Sequence, residues 1–170
     1  MPRVSAKENK NKYFKRREEL GWSREEASEK LVTIPADRLE KIENERSPVR
    51  PDEILVMSEV YNMPELCNYY CSKECPIGKT CIPEIKVRDL SRIVLELVAN
   101  LNRSRKNQER LIEIAADGKI EAEEVEDFVK IQRDLDKISL TVDAMQMWMK
   151  QKLADGTIDK AAYEACRKKK

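Results

Sequence analysis

The placement of proline and glycine limits what this chain can fold into more than any other feature. All seven prolines fall at or before Pro83, and the four glycines (Gly21, Gly78, Gly118 and Gly156) lie outside every apolar-periodic run. Proline removes a backbone donor and clashes with the preceding turn, while glycine costs about 1 kcal/mol inside a helix. From Glu84 onward only two Asp-Gly pairs interrupt helix formation, whereas the first half must break into short pieces. No segment alternates apolar and polar residues with the period of two that a half-buried strand requires. The expected class is all-α.

The first half reads as a series of short helices. Tyr13, Phe14, Arg17 and Leu20 recur at helical spacing over residues 8–20, and Gly21 supplies the stop. Ser23 with Glu26 three residues later forms a capping-box pattern that opens a helix over about 24–31. A third helix starts near Pro35 and runs to about Asn44, with Leu39 and Ile42 facing inward. Pro48 and Pro51 bracket a loop, Asp52 to Tyr61 form a fourth helix, and Pro64 starts a fifth that leads into a run of cysteines.

Three stretches in this order, REELGWSREEASEKL, RLEKIENERSPVRP and PDEILVMSEVYNMP, carry a resemblance. Residues 8–63 are similar to the five-helix DNA-binding head of the lambda repressor/Cro (XRE-type) helix-turn-helix family. The resemblance implies that residues 35–43 form the recognition helix, whose N-terminal part enters the major groove of duplex DNA. It further implies DNA contacts at Arg24, Pro35, Ala36, Arg38 and Lys41, with Arg24 near a phosphate and Arg38 and Lys41 at the groove or the backbone. Arg24 stands where the family commonly has glutamine, and the turn LVTIPA is one residue longer than usual.

Charge divides the head. Residues 1–24 hold eight Lys/Arg against three acids, and residues 25–60 hold five against ten. The third helix alone carries Asp37, Glu40 and Glu43 against two bases. Phosphate contacts depend on cations that release counterions, so the basic arm of Lys7, Lys10, Lys12, Lys15, Arg16 and Arg17 is the expected backbone grip.

Cys67, Cys71, Cys75 and Cys81 form a C-x3-C-x3-C-x5-C cluster in a chain with no histidine and one other cysteine, Cys166. Cys67 and Cys71 share a helix face at i and i+4, Pro76 breaks the helix, and Gly78 permits a turn that returns Cys81. Four thiolates can hold zinc or an iron–sulfur cluster; buried free thiols or a redox disulfide are the alternatives, and spacing leaves the choice open. The stretch PELCNYYCSKECPIG also resembles one in a Cys-rich subset of XRE-type proteins, which implies no chemistry.

The second half reads as a long antiparallel helical hairpin with a short C-terminal helix. Val87, Leu90, Val94, Leu97, Leu101, Ser104, Gln108, Leu111 and Ala115 step by three and four, as do Phe128, Ile131, Leu135, Ile138, Val142, Met145 and Met149. Ile93, Val98, Ile112, Val125 and Val129 lie off these seams, which suits a second hairpin packing into a four-helix bundle and hence a homodimer. The expected divisions are a head over 1–63, a Cys-rich joint over 64–83 and the hairpin over 84–170.

Without histidine or a glycine-rich phosphate loop, no catalytic constellation emerges, and an enzyme is not expected. No apolar run approaches the ~20 residues that span a bilayer, and the basic N-terminus lacks an apolar signal core, so the expected address is cytoplasmic. The reading is a transcription regulator of XRE type, responsive to metal or redox state through the cysteines. The alternative is a protein–protein adaptor that retained the head fold and lost DNA binding.

Overall fold

The protein is described from a computed structural model, which describes residues 10–116 and 118–168. The described residues are helical with no strand. They fall into two compact units: one takes the described residues up to Glu84 together with those from Gln151 on, and the other is Ile85–Lys150.

The first unit contains α1 (Lys12–Glu19), α2 (Arg24–Leu31), α3 (Ala36–Glu43), α4 (Pro51–Val60), α5 (Glu65–Lys73) and the single turn α6 (Gly78–Cys81). Their ends are fixed by local chemistry. The Asn11 side chain accepts from the Phe14 amide at 3.0 Å and donates to the Ile42 carbonyl at 2.8 Å, so one residue caps α1 and ties it to α3. Gly21 takes φ 72° after α1, where a side chain would be strained. Ser23 and Glu26 then make the expected reciprocal capping box. Tyr13, Ala27, Leu31, Ile34, Leu39, Ile42, Val49, Ile54, Met57, Tyr61 and Leu66 close into one core. Burial of each large apolar side chain is worth about 1.5–3 kcal/mol. Tyr61 is fully buried, and its hydroxyl has no partner among the described residues.

Two local features depart from ordinary geometry. The extra residue between α2 and α3 is absorbed at Val32, which takes φ 57° and ψ −48° while the Thr33 amide reaches the Leu31 carbonyl at 2.5 Å. This is a γ-turn with positive φ, a strained conformation for a β-branched residue. Gly78 has a different role from the one its spacing suggests. It lies at the start of α6, and a Cβ there would stand 2.1 Å from the Cys71 carbonyl oxygen. Glycine is required by close approach of α6 to α5, not by a positive φ.

The second unit contains α7 (Leu90–Lys106), α8 (Gln108–Ala115) and the larger part of α9 (Val125–Ala154). The first arm of the expected hairpin is interrupted at Asn107, with φ −98° and ψ 2°. The inner seam is rotated from the one expected. Ile93, Ile114, Ile131 and Met147 are buried, whereas Leu90, Val94, Leu101, Leu135 and Val142 are exposed. The facing rows repeat by sevens (Ile93, Asn100, Asn107, Ile114), and Asn100 donates to Thr141 Oγ1 at 3.1 Å and Asn107 to Asp134 Oδ2 at 3.3 Å. These two cross-bonds descend on α9 as they ascend on α7, so the arms are antiparallel. Periodicity identified a seam, but neighbouring rows were both apolar at the ends, and the polar pairs in the middle selected the inner one.

The end of α9 and α10 (Lys160–Lys168) complete the first unit. Asn62 donates to the Ala154 carbonyl at 2.6 Å, and Gln151 hydrogen-bonds Glu65.

Candidate nucleic-acid interface

The elements over residues 24–43 form the expected two-helix arrangement: α2, a turn through Val32–Pro35, then α3. Pro35 caps α3 without a side-chain acceptor, so its first amides are open to an anionic group. Pro35, Asp37 and Lys41 are exposed on α3, and Ala36 is half-buried.

The arginines of the expected contact set are largely engaged within the fold. Arg17 is buried and uses all its donor nitrogens inside: Nε and Nη2 bond Glu43 at 2.5 and 2.9 Å, and Nη1 bonds the Trp22 carbonyl at 2.6 Å. Burial pulls its pKa down, but the bonds to Glu43 outweigh this and leave it above the ordinary arginine value. Arg24 Nε bonds the second Glu43 oxygen at 2.8 Å. One carboxylate with no exposed side-chain surface therefore clamps α1, α2 and α3. Arg17 is corrected from a backbone contact to an internal tie, because its three guanidinium nitrogens are all bonded within the fold. Arg16 bonds the Tyr61 carbonyl at 3.0 Å and pairs with Glu19 at 3.1 Å.

Arg38 is held as firmly. Nε and Nη2 lie 2.7 Å from the two oxygens of Glu53 on α4, Nη1 bonds Ser47 Oγ at 2.6 Å, and Nη2 bonds the Pro48 carbonyl at 2.8 Å. Glu53 also accepts the Arg50 amide at 2.8 Å. Burial pushes the Glu53 carboxyl up, but the Arg38 and Arg50 bonds outweigh it and hold it below the usual carboxylate range. Thr33, Pro35, Arg38, Pro48, Arg50 and Glu53 line an open concavity of about 560 Å³ at the start of α3.

The exposed cations of this face are then Lys41, Arg46 and Arg50. Arg46 pairs with Glu40 at 3.1 Å and remains 65% exposed, and Arg50 remains 64% exposed beside Asp52 and Glu53. Arg46 and Arg50 were missed by the sequence reading. They lie beyond the recognition segment, and only the packing of the α3–α4 loop brings them alongside it. In the basic arm, Lys10 pairs with Glu18 at 2.8 Å and stands over the Phe14 ring, and Lys12 stands over Tyr69. Lys7 lies outside the described residues.

The cysteine segment packs as a corner of α5 and α6. All five thiols are free. Cys75 Sγ accepts the Gly78 amide at 3.4 Å, and burial, then the Cys75 and Cys67 thiols, push the Cys71 thiol above its ordinary range. Cys81 is exposed, its sulfur 3.2 Å from Thr80 Oγ1. Among the described residues no three Cys, Asp or Glu side chains converge closely enough to hold a metal ion. No helix among them is long and apolar enough to cross a membrane.

Residues 15–66 match the helix-turn-helix family. No curated protein and no solved structure matches the chain.

Proposed function

We infer that this chain, in which residues 15–66 form a helix-turn-helix domain of XRE type, is a transcription regulator that presents α3 to the major groove of duplex DNA. The observation that carries the reading is the outer face of α3. It is uncovered, begins with uncapped amides, and is flanked by the exposed cations Lys41, Arg46 and Arg50. Lys41 stands where it reaches a base edge or phosphate, and Arg46 and Arg50 grip the backbone on either side. Arg17, Arg24 and Arg38 set the angle of α3 through Glu43 and Glu53.

One observation supports a second reading, an adaptor that binds another protein. With Arg17 and Arg38 tied inside, the groove face of α3 keeps Asp37 and Glu40 beside Lys41. Titration of the full chain with duplex DNA at several salt concentrations separates the two. A regulator loses affinity steeply as salt rises, with a slope of about −0.9 per phosphate contact; an adaptor shows no binding at any salt concentration.

Metal or redox control through Cys67, Cys71, Cys75 and Cys81 is a separate proposal, supported by their density and by the two thiols, Cys75 and Cys67, that neighbour Cys71. Zinc or an iron–sulfur cluster would have to draw the four thiols together, since no three of them converge among the described residues. Metal analysis and an absorption spectrum of anaerobically purified protein test it: absence of both zinc and iron removes the metal reading.

A further inference from the structure

We propose that Asp37 is a specificity residue, which selects a cytosine in the bound duplex by accepting from its N4 amino group in the major groove. The proposal rests on the reading of α3 as the helix that enters the groove, and its test tells the failure of one from the failure of the other.

Elimination leaves this carboxylate to a ligand. α3 carries five charged side chains, Asp37, Arg38, Glu40, Lys41 and Glu43. Glu43 is buried and bonded by Arg17 and Arg24, and Arg38 is held by Glu53. Glu40 accepts from Asn44 and from Arg46, both at 3.1 Å. Asp37 and Lys41 are exposed, and neither has a side-chain hydrogen bond or ion pair among the described residues. They stand at i and i+4, one turn apart on the outer face of the helix.

Asp37 is the second residue of α3, in the part of a recognition helix that contacts base edges. Phosphates repel a carboxylate at this place, so it adds nothing to general affinity. Ionised, it is an acceptor only. In the major groove guanine presents the acceptors O6 and N7, and thymine presents the acceptor O4 beside its methyl group. Adenine sets its N6 amino group beside the acceptor N7, whereas cytosine offers an amino donor with no acceptor next to it. The carboxylate therefore rewards cytosine and penalises the other three bases, which is discrimination by repulsion as well as by attraction. Lys41 supplies the attraction one turn on that holds this face against the duplex. A purely structural role for Asp37, favourable contact with the first turn of its own helix, would stabilise the head and carry no base preference.

The full chain, Asp37→Asn and Asp37→Ala are each used to select sites from duplex DNA with a randomised segment, and their affinity for unselected duplex is measured over a salt series. The parent should enrich cytosine at one position, and replacing that C·G pair should lower its affinity about tenfold. Asp37→Asn should enrich adenine there, because an amide donates to N7 and accepts from N6. Asp37→Ala should enrich no base there. Both variants should keep the parent's preferences elsewhere, its helical circular dichroism, and at least its affinity for unselected duplex. No cytosine preference in the parent, or the parent's preference at every position in both variants, overturns the proposal and leaves salt-dependent DNA binding in place. Absence of salt-dependent binding by the parent overturns the regulator reading and the proposal together.

Discussion

Arg38 of α3 meets Glu53 of α4 fork to fork, with both nitrogen–oxygen distances at 2.7 Å. The same guanidinium also holds Ser47 and Pro48, so the residue that sequence placed at the DNA groove ties α3 to its following loop and helix. Planar bidentate pairing with a buried carboxylate is what arginine does best, and lysine cannot replace it.

This relationship predicts an unusual signature for Arg38→Ala. DNA affinity and melting temperature should fall together, while the slope of affinity against salt stays at the parent value. Lys41→Ala and Arg50→Ala should each make the slope shallower by about 0.9 with the melting temperature unchanged. Fluorescence anisotropy over a salt series reads both quantities. A shallower slope for Arg38→Ala would show that it leaves Glu53 and contacts phosphate.

Glu53 on α4 and Glu74 at the end of α5 act on stability in opposite directions with pH. Glu53 has a folded pKa below its usual value, so its contribution is present above the ordinary carboxylate range and lost as pH falls through the folded value. Glu74 is raised, first by burial, with Tyr13 Oη donating to it at 2.8 Å and partly offsetting the rise. Its contribution is present below the ordinary range and lost as pH rises through its folded value. Glu53→Gln should therefore cost roughly 3 kcal/mol near neutrality by unpairing Arg38 and flatten the acid limb of the stability curve. Glu74→Gln should be neutral or stabilising near neutrality. Urea denaturation at a series of pH values checks both.

Val32 sits at φ 57° and is 83% exposed, so its side chain is strained and contributes little packing. Val32→Gly should stabilise the head by about 1 kcal/mol, since glycine adopts this conformation freely. A lower melting temperature for the variant would mean that the turn between α2 and α3 adopts another conformation.

Thiol reactivity should divide the cysteines. Cys81 and Cys166 are exposed and should react promptly with a disulfide reagent, whereas Cys71, with its raised pKa, should react last. Gly78→Ala forces α6 away from the Cys71 carbonyl and should bring Cys71 and Cys75 close to the rate of Cys81. Equal rates for all five thiols in the parent would contradict the packed corner.

What could be read from the chain alone was what depends on near neighbours. Proline and glycine set the helix boundaries, Ser23 and Glu26 set a cap, and apolar spacing selected Leu39 and Ile42 for the core. Each of these effects acts within about one turn of helix, so the sequence contains all its terms.

Side-chain direction and partnership depended on residues far apart in sequence. Arg17 and Glu43 are 26 positions apart, and Arg38 and Glu53 are 15 apart. Charge counting placed Arg17 in a basic arm and Glu43 among the acids of the third helix, yet the fold turns Glu43 and Glu53 inward and draws the arginines after them. The hairpin shows the same limit: two adjacent rows on α7 are apolar enough to form a seam. Only the bonds across the hairpin from Asn100 to Thr141 and from Asn107 to Asp134 determine which row faces in, because a polar group removed from water must find its partner. Periodicity determined that these helices pack, and the pairing of buried polar groups determined which faces meet.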